Sequence, residues 1–558
     1  MDHLISKFCP RTEFESYEDF IANFQIETPE NFNFGFDVVD EWARVEPEKR
    51  ALVWCNDHAE ERVLTFAELS ALSNQTANAF AKMGVGKGSV VMFVLRRRWE
   101  YWVAAVALAK IGAVLIPASM MLTKKDIIYR AQAAEVDMVV CVDDAYVIDQ
   151  MEQALPECPT VRNRVIVAGA HEGWLGFDAL IAGEPTQFER PSGEAGTTND
   201  DTMLLYFTSG TTGQPKMVRH TFTHPLGHII TARFWQQVKE NTLHMSVSDS
   251  GWAKFGWGKI YGQWICGATV FGYDMDKFVP ASLLAKIAEY KLTTFCAPPT
   301  MYRFMLQEDV SAHDLSSVHK WTTAGEPLNP EVTKQWLDLT GHRIREGFGQ
   351  TESVVLVATW PWLDPKPGSM GMPSPLYNIE LMSEEDGHAC EDGEEGMICV
   401  TGLKRAWPPG LFKGYYHDEE RSREAVGGEY YDTGDVAWRD SDGYYFFVGR
   451  NDDVIKASGY RIGPFEVESA LIEHAAVVEC AVTGFPDPMR GVVVKATCVL
   501  AKGWEPSDAL VKELQDHVKT TTAPYKYPRI IEFVDELPKT ISGKIKRKQI
   551  RTEDGATE

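Results

Sequence analysis

The feature that most narrows the fold is a repeated change of hydrophobic period up to about residue 450. The segment FAELSALSNQTANAFAK spaces its apolar residues for one face of a helix. Gly84, Gly86 and Gly88 break it, and the uninterrupted apolar run VVMFVL follows at 90–95. Residues 99–111 again read as helix and 113–116 (AVLI) as strand. This alternation predicts an α/β protein with a largely parallel sheet, its faces covered by the intervening helices. Ligands of such sheets bind beyond the carboxyl ends of the strands.

The texture changes after about residue 390. Residues 396–401 (GMICVT), 436–439 and 443–448 (GYYFFV) read as short strands separated by Gly, Asp and Pro, a mainly antiparallel pattern. A compact unit follows from 452: a helix opened by Pro464 and reaching 475, strands at 477–483 and 492–500, and an amphipathic helix over 507–519. A chain of 558 residues exceeds what one core supports. The expected class is therefore mixed α/β and α+β: a large N-terminal domain over 1–451 made of α/β layers plus a small β-rich segment, and a small α+β C-terminal domain over 452–558.

The net charge of -25 argues against a nucleic-acid or anionic-membrane binder, since both need a broad positive field. The most apolar stretch, 102–117, is interrupted by Lys110 and is too short to span a bilayer. The start, Met1-Asp2-His3-Leu4, lacks the basic flank and apolar block of a signal peptide. The ten cysteines are scattered without a CxxC pair, which suggests neither a disulfide framework nor a zinc site. A reducing, cytoplasmic setting is expected. Composition leaves a homo-oligomer open.

The apolar run 203–207 (MLLYF) leads into Thr208, Ser209, Gly210, Thr211, Thr212, Gly213, Gln214, Pro215 and Lys216. Two glycines free the backbone for a tight anion-binding concavity, four hydroxyls can donate to phosphate oxygens, and Lys216 adds a point charge. The pattern is not GxxxxGK[ST], so this is not a Walker A loop.

YFTSGTTGQPK at 206–216 resembles the phosphate loop of the adenylate-forming enzymes, which include acyl-CoA synthetases, luciferases and peptide-synthetase adenylation domains. AGEPLNP (324–330), EGFGQTE (346–352), YDTGD (431–435), GRNDDVIKASGYRIGPFEVE (449–468) and PKTISGKIKR (538–547) resemble the family's remaining motifs, in the expected order. The resemblance is closest to the medium-chain acyl-CoA synthetases, on the stretches 248–268, 293–304 and 522–534.

This resemblance implies an ATP- and Mg²⁺-dependent ligase that joins a carboxylic acid to coenzyme A through an acyl-adenylate. Lys544 would neutralise charge where the carboxylate meets the α-phosphate, with Thr351 at the phosphate and Glu352 and Thr211 at Mg²⁺. Gly325, Glu326 and Pro327, with Glu346, Gly347, Phe348, Gly349 and Gln350, would line the adenine and acyl side. Asp435 and Arg450 would take the ribose. The C-terminal domain would rotate about Asp452 between the two half-reactions, bringing Ser458, Gly459 and Tyr460 to the coenzyme A tunnel. Arg461 would serve the nucleotide, and Arg490 and Lys519 the coenzyme A phosphates.

The aromatic-rich segment with Trp252, Phe255, Trp257, Tyr261 and Trp264 can wall an apolar acyl pocket or pack the core. Lys254, Trp257 and Gly325 are the pocket candidates; the bulky tryptophans favour a short, branched or aromatic acid over a long chain, and the resemblance implies a medium-chain acid as the alternative. Two other readings stay open on sequence. One is an acyl-adenylate ligase delivering to a carrier protein or another acceptor. The other is a silent acyl-nucleotide sensor, which would be expected to lose Lys544, Asp435 or Glu352.

Overall fold

The apolar runs become two large sheets in the computed structural model, which describes residues 3–208, 214–457, 460–488, 490–540 and 544–555. The first sheet has seven strands, in the order Leu175–Gly176, Asn163–Val167, Met138–Val142, Val90–Val94, Val114–Pro117, Thr202–Thr208 and Lys216–Thr221. Neighbours are parallel except in the last pair, an antiparallel hairpin in which Thr208 faces Lys216. Val90–Val94 and Met138–Val142 are buried along their whole length, as a parallel sheet covered on both faces requires.

The helix Trp99–Ile111 is apolar on all sides because it is buried on all sides. It packs on the helix Phe66–Lys82 and reaches the second sheet through Trp102, whose indole donates to the Lys259 carbonyl at 2.6 Å. The exceptions within it are Glu100, paired with Arg98 at 2.9 Å, and Lys110. The Lys110 ammonium is enclosed and donates to the Asp40 carboxylate (2.6 Å), Asn74 Oδ1 (2.6 Å) and Ser73 Oγ (3.0 Å). Burial pushes its pKa down while Asp40 pulls it up.

The second sheet has thirteen strands. Its parallel half contains Arg50–Asn56, Thr269–Asp274, Leu243–Ser246, Thr294–Ala297, Lys320–Ala324 and Ile344–Gly349, with Glu61–Thr65 antiparallel at the edge. From Ile344–Gly349 onward every step is antiparallel, through Val355–Ala358, Ser369–Pro373, Tyr445–Arg450, Tyr431–Arg439, Glu395–Thr401 and Asn378–Met382. The β-rich texture of the sequence is thus the outer half of this same sheet.

Beyond it, Val477–Asp487 and Gly491–Leu500 pair as a hairpin, and Ile530–Phe533 runs parallel to the second of them. With the helices Pro464–Ile472 and Asp508–Thr521 they enclose a core of their own, including Val467, Leu471, Val482, Leu514 and Val518. The helix expected to reach 475 stops at Ile472, where the His474 ring accepts the Ala476 N–H at 3.2 Å in place of a helical carbonyl. The strand expected to end at 483 continues to Asp487; it lies at the sheet edge, where Pro486 is tolerated. All ten cysteines are buried, and none is in a disulfide. No helix among the described residues is long and apolar enough to cross a membrane.

Removing one partner of a buried ion pair costs more than the pair contributes, because the other charge is stranded. Lys110→Ala is expected to destabilise folding by about 3 kcal/mol, read as a lower denaturant midpoint at unchanged m. A shift within about 0.5 kcal/mol would show the pair to be energetically idle.

Candidate active site

Thr208 and Lys216 lie opposite each other at the loop end of the hairpin, so the 208–216 segment joins two antiparallel strands. That geometry separates it from the strand–loop–helix of a Walker A motif. Ser209, Gly210, Thr211, Thr212 and Gly213 lie outside the described residues. Pro215 accepts from the Tyr129 hydroxyl at 2.9 Å, and Gln214 precedes it in a bend. The Lys216 ammonium sits 4.9 Å from the centre of the Tyr415 ring. Burial lowers its pKa, against the pull of Glu352. The Tyr415 hydroxyl in turn donates to Glu352 Oε1 at 3.0 Å.

Glu352 and Thr351 are carried past the carboxyl end of Ile344–Gly349, beside the end of Lys320–Ala324, from which Gly325, Glu326 and Pro327 emerge. Gly325 has φ +102°, a conformation that side chains rarely adopt. Glu326 accepts from Thr300 Oγ1 at 2.7 Å. Glu346 is buried, and one carboxylate oxygen accepts the Leu328 N–H at 3.3 Å. Burial pushes its pKa up to about 8, so it is neutral at pH 7 and shapes the Gly325–Asn329 turn as an uncharged acid. Phe348 packs against Phe447, with ring centres 6.1 Å apart.

Gln350 is a hub. Its Nε2 donates to the Thr433 carbonyl (2.8 Å) and to the Asp435 carboxylate, and its Oε1 accepts from the Tyr431 hydroxyl (2.6 Å). Asp435 faces Arg450 across the strand pair, with Oδ1 3.6 Å from Nη1. Burial raises Asp435 to about 6, against the lowering effects of Arg450, Gln350 and Lys544. Lys544 itself is exposed and tethered by Thr540, whose hydroxyl accepts the Lys544 N–H at 3.1 Å. Its positive charge lowers the pKa of both Asp435 and Lys254.

The short helix Ala253–Lys259 crosses the ends of the two parallel strands and places Lys254 and Trp257, three residues apart, on one face. Lys254 Nζ donates to the Ala324 carbonyl at 2.5 Å, and a Cβ on Gly325 would lie 3.7 Å from it. Burial lowers the Lys254 pKa. Trp257 lies against Gly349, where an added Cβ would come within 2.5 Å of the ring. The other aromatics of the segment divide differently. Trp264 is fully buried and donates to the Ala51 carbonyl at 2.9 Å, and Phe255 packs on Tyr101 and Trp102; both belong to the core.

Sequence reasoning missed a buried row of imidazoles behind this wall. His220 Nε2 donates to the Thr351 carbonyl at 2.7 Å, His224 lies 3.9 Å from its ring centre, and His228 stacks on Tyr261 near Trp257. Burial holds His220 at about 4 and His228 at about 3, so both are neutral supports rather than acids or bases at pH 7. The HxxxHxxxH spacing at 220–228 was the signal available.

Among the residues expected to serve coenzyme A, Ser458 and Gly459 lie outside the described residues. Tyr460 stacks on Tyr525 (4.1 Å, 16°), and Lys519 lies 4.3 Å from the centre of Tyr527. Tyr525 and Tyr527 were not singled out in the sequence, although alternating aromatics and cations in PYKYPR marked them. Arg490 stands apart, at the tip of the Val477–Leu500 hairpin. Arg461 pairs with Glu384 (2.8 Å) and Glu395 (3.8 Å) and approaches Asn451, rather than Asp435. Asp452 occupies an exposed turn, 3.7 Å from Arg450 Nε.

The ribose role that the resemblance implies for Asp435 calls for an ionised carboxylate, so on that reading affinity for the nucleotide should follow its titration. Its folded pKa of about 6 lies above the ordinary 3.8, so its charge costs folding stability at neutral pH, a cost relieved as pH falls through about 6. KM for ATP is expected to rise roughly tenfold between pH 7 and pH 5, as the ionised fraction falls from about nine-tenths to about one-tenth. Asp435→Asn should raise KM on the order of 10- to 100-fold at pH 7 and abolish that dependence. The same profile in Asp435→Asn would assign the titration to another group.

The AMP-binding enzyme family matches residues 39–416, and the AMP-binding enzyme C-terminal domain matches residues 466–544. The chain is 40% identical over 555 residues to acyl-coenzyme A synthetase ACSM3, mitochondrial, of Mus musculus, covering 98% of this chain and 94% of that protein. It is 42% identical over 537 residues to acyl-coenzyme A synthetase ACSM4, mitochondrial, of Homo sapiens, covering 94% and 91%. The crystal structure of the anthranilate CoA ligase AuaEII with anthranoyl-AMP superposes with a TM-score of 0.86 at 30% identity, over 95% of this chain and 98% of that one. A benzoate CoA ligase from Burkholderia xenovorans gives 0.81 at 27% identity, over 93% and 100%. The chain therefore belongs to the AMP-binding, adenylate-forming enzyme family, on its acyl-coenzyme A synthetase branch.

Proposed function

We propose that the protein is an AMP-forming carboxylate–CoA ligase. The observation that carries this reading is the buried Asp435, held by Gln350 and facing Arg450 beside the ends of the parallel strands, a carboxylate on which the charge of Lys544 also acts. In the first step a substrate carboxylate oxygen attacks the α-phosphorus of ATP and pyrophosphate leaves. Two anions must meet, so the local need is for positive charge, which Lys544 and Lys216 supply. In the second step the thiol of coenzyme A attacks the acyl carbonyl and AMP leaves.

Asp435 and Arg450 hold the ribose, and the backbone at Gly325–Pro327 and Glu346–Gln350 frames the adenine and the acyl group. Mg²⁺ suits the oxygen donors here: Glu352, braced by Tyr415, would hold it with Thr211 and offset polyphosphate charge. The division we propose is 1–451 and 452–558, with Asp452 as hinge. It is supported by the separate core beyond Ile455 and by the exposed turn at 451–453. After rotation Ser458–Tyr460, Arg490 and Lys519 face coenzyme A, with the stacked Tyr460 and Tyr525 as an adenine-sized platform. Arg461 releases its carboxylates to reach phosphate. The acid is short branched, medium-chain or aromatic, because Trp257 and Trp235 fill the space beside Gly347 and Gly349. Ten buried cysteines outside any disulfide suit a reducing compartment such as the cytoplasm; the two mammalian relatives are mitochondrial.

A panel of acids assayed for AMP and pyrophosphate with and without coenzyme A tests the reading. Turnover that needs a carrier protein instead of coenzyme A would replace the acceptor, and no pyrophosphate with any acid would refute the activity. Lys544→Ala should lower acyl-AMP formation on the order of 100-fold or more while sparing thioester formation from supplied acyl-AMP. Equal loss of both steps would remove its assigned role. Asp452→Pro should leave adenylation but block transfer to coenzyme A; wild-type rates in both would move the hinge elsewhere.

A further inference from the structure

Away from this site, the turn after Asn378–Met382 folds back so that Met382 bridges Ala389, and the Cys390 N–H bonds to the Leu381 carbonyl. His388 and Cys390, two residues apart on the returning segment, project toward the same side. Glu394 joins them from the following turn, where its carboxylate also accepts the Glu391 N–H at 2.9 Å. A His ring nitrogen, the Cys390 Sγ and a Glu394 oxygen all lie within 4.8 Å of one another.

The imidazole is already oriented for a ligand. Its Nδ1 lies 2.5 Å from Asp386 Oδ1, which leaves Nε2 facing Glu394 Oε2 at 3.2 Å. A carboxylate on the far nitrogen of a ligating imidazole fixes the tautomer and raises its basicity, the usual outer partner of a metal-bound histidine. The thiol makes a long contact of 3.7 Å to the Glu395 carbonyl, a bond it can yield at little cost.

We propose that His388, Cys390 and Glu394 form a binding site for one zinc-class divalent ion, with Asp386 as the orienting group. Nitrogen, thiolate and carboxylate donors select zinc over magnesium, which takes oxygen donors at octahedral geometry. Ligands held about 2.0–2.3 Å from a tetrahedral ion lie roughly 3.5 Å apart, so modest rotation of two side chains completes the set, with water in the fourth position. On binding, the thiol proton and the proton that His388 Nε2 shares with Glu394 both pass to solvent. The ion sits next to Glu384 and Glu395, the two carboxylates that hold Arg461, and so would clip the turn against which that arginine rests.

The test uses the full chain, stripped with a chelator and then titrated with zinc against a chromophoric competitor in excess Mg²⁺. One equivalent is expected to bind and to resist Mg²⁺, and cobalt(II) at the same stoichiometry should show thiolate-to-metal charge-transfer absorption. Cys390→Ser should abolish that absorption and, like His388→Gln, weaken zinc binding on the order of 100-fold; Asp386→Asn should weaken it about 10-fold. A second grouping, His3 with Glu46 and Glu240, lacks a thiolate, so the absorption tells the two apart. No zinc binding, binding without the charge-transfer signal, or unchanged affinity in His388→Gln, whose exposed position leaves folding intact, would overturn the assignment.

Discussion

The contact between Gln350 and Asp435 sets the shape of the catalytic face. Gln350 follows Ile344–Gly349, and Asp435 lies on Tyr431–Arg439; three strands separate these two in the sheet order. At about 4.8 Å per strand step, a flat sheet would hold them roughly 19 Å apart, beyond the reach of a glutamine. The antiparallel half must therefore curl back over the end of the parallel half. The second bond, from Gln350 to the Thr433 carbonyl, and the Phe348–Phe447 contact follow the same closure. The proposed ribose carboxylate is thus buried beside the strand ends because the sheet rolls up, and its raised pKa is the electrostatic consequence.

The glycines of EGFGQTE follow from packing. Added Cβ atoms on Gly347 and Gly349 would come within 2.5 Å of Trp235 and Trp257, so two indoles lie directly on the strand backbone. Trp235 and Trp257 meet edge to face, at 6.4 Å and 90°. In the proposed reading this rigid aromatic floor beneath the motif sets where the acyl group ends, and the neutral histidines behind it add polar support without bringing charge into that floor.

Local patterns revealed the elements well and their partners poorly. The helix at 99–111 and the strand at 203–207 were legible because period and breakers are local properties. That Trp99–Ile111 would be covered on every side was also implicit in its composition. The union of the parallel and antiparallel strands in one sheet was not legible, since register between Ser369–Pro373 and Tyr445–Arg450 depends on residues far apart in sequence. Motif positions pointed to Asp435, Glu352 and Lys544, but motifs carry no geometry. They set Gln350 along the adenine and acyl side without showing that its side chain makes the hub, and they could not foresee the acidic partners of Arg461. Cysteine spacing looked for CxxC, and so passed over a histidine and a cysteine two apart whose third partner arrives through a turn.

The contacts between the C-terminal part and the rest of the chain bear on how firmly one orientation is held. Glu384 receives Arg461, and Asn329 donates to the Ser469 carbonyl at 3.3 Å. The side chains of Arg461 and Glu384 are about one-third exposed, so water competes for both, and an exposed pair contributes about 0–1 kcal/mol. Inside the C-terminal part the bonding is different. Arg547 makes two bonds of 2.8 Å to Glu468, which also accepts the Val482 N–H, and Arg551 pairs with Asp453. Arg547 lies three residues from Lys544, so the segment bearing the lysine is fixed to its own core more strongly than Arg461 is held by Glu384. Bonds of this strength let the lysine travel as part of a rigid body, while the weaker pairs let that body leave, which is the combination that the proposed rotation requires.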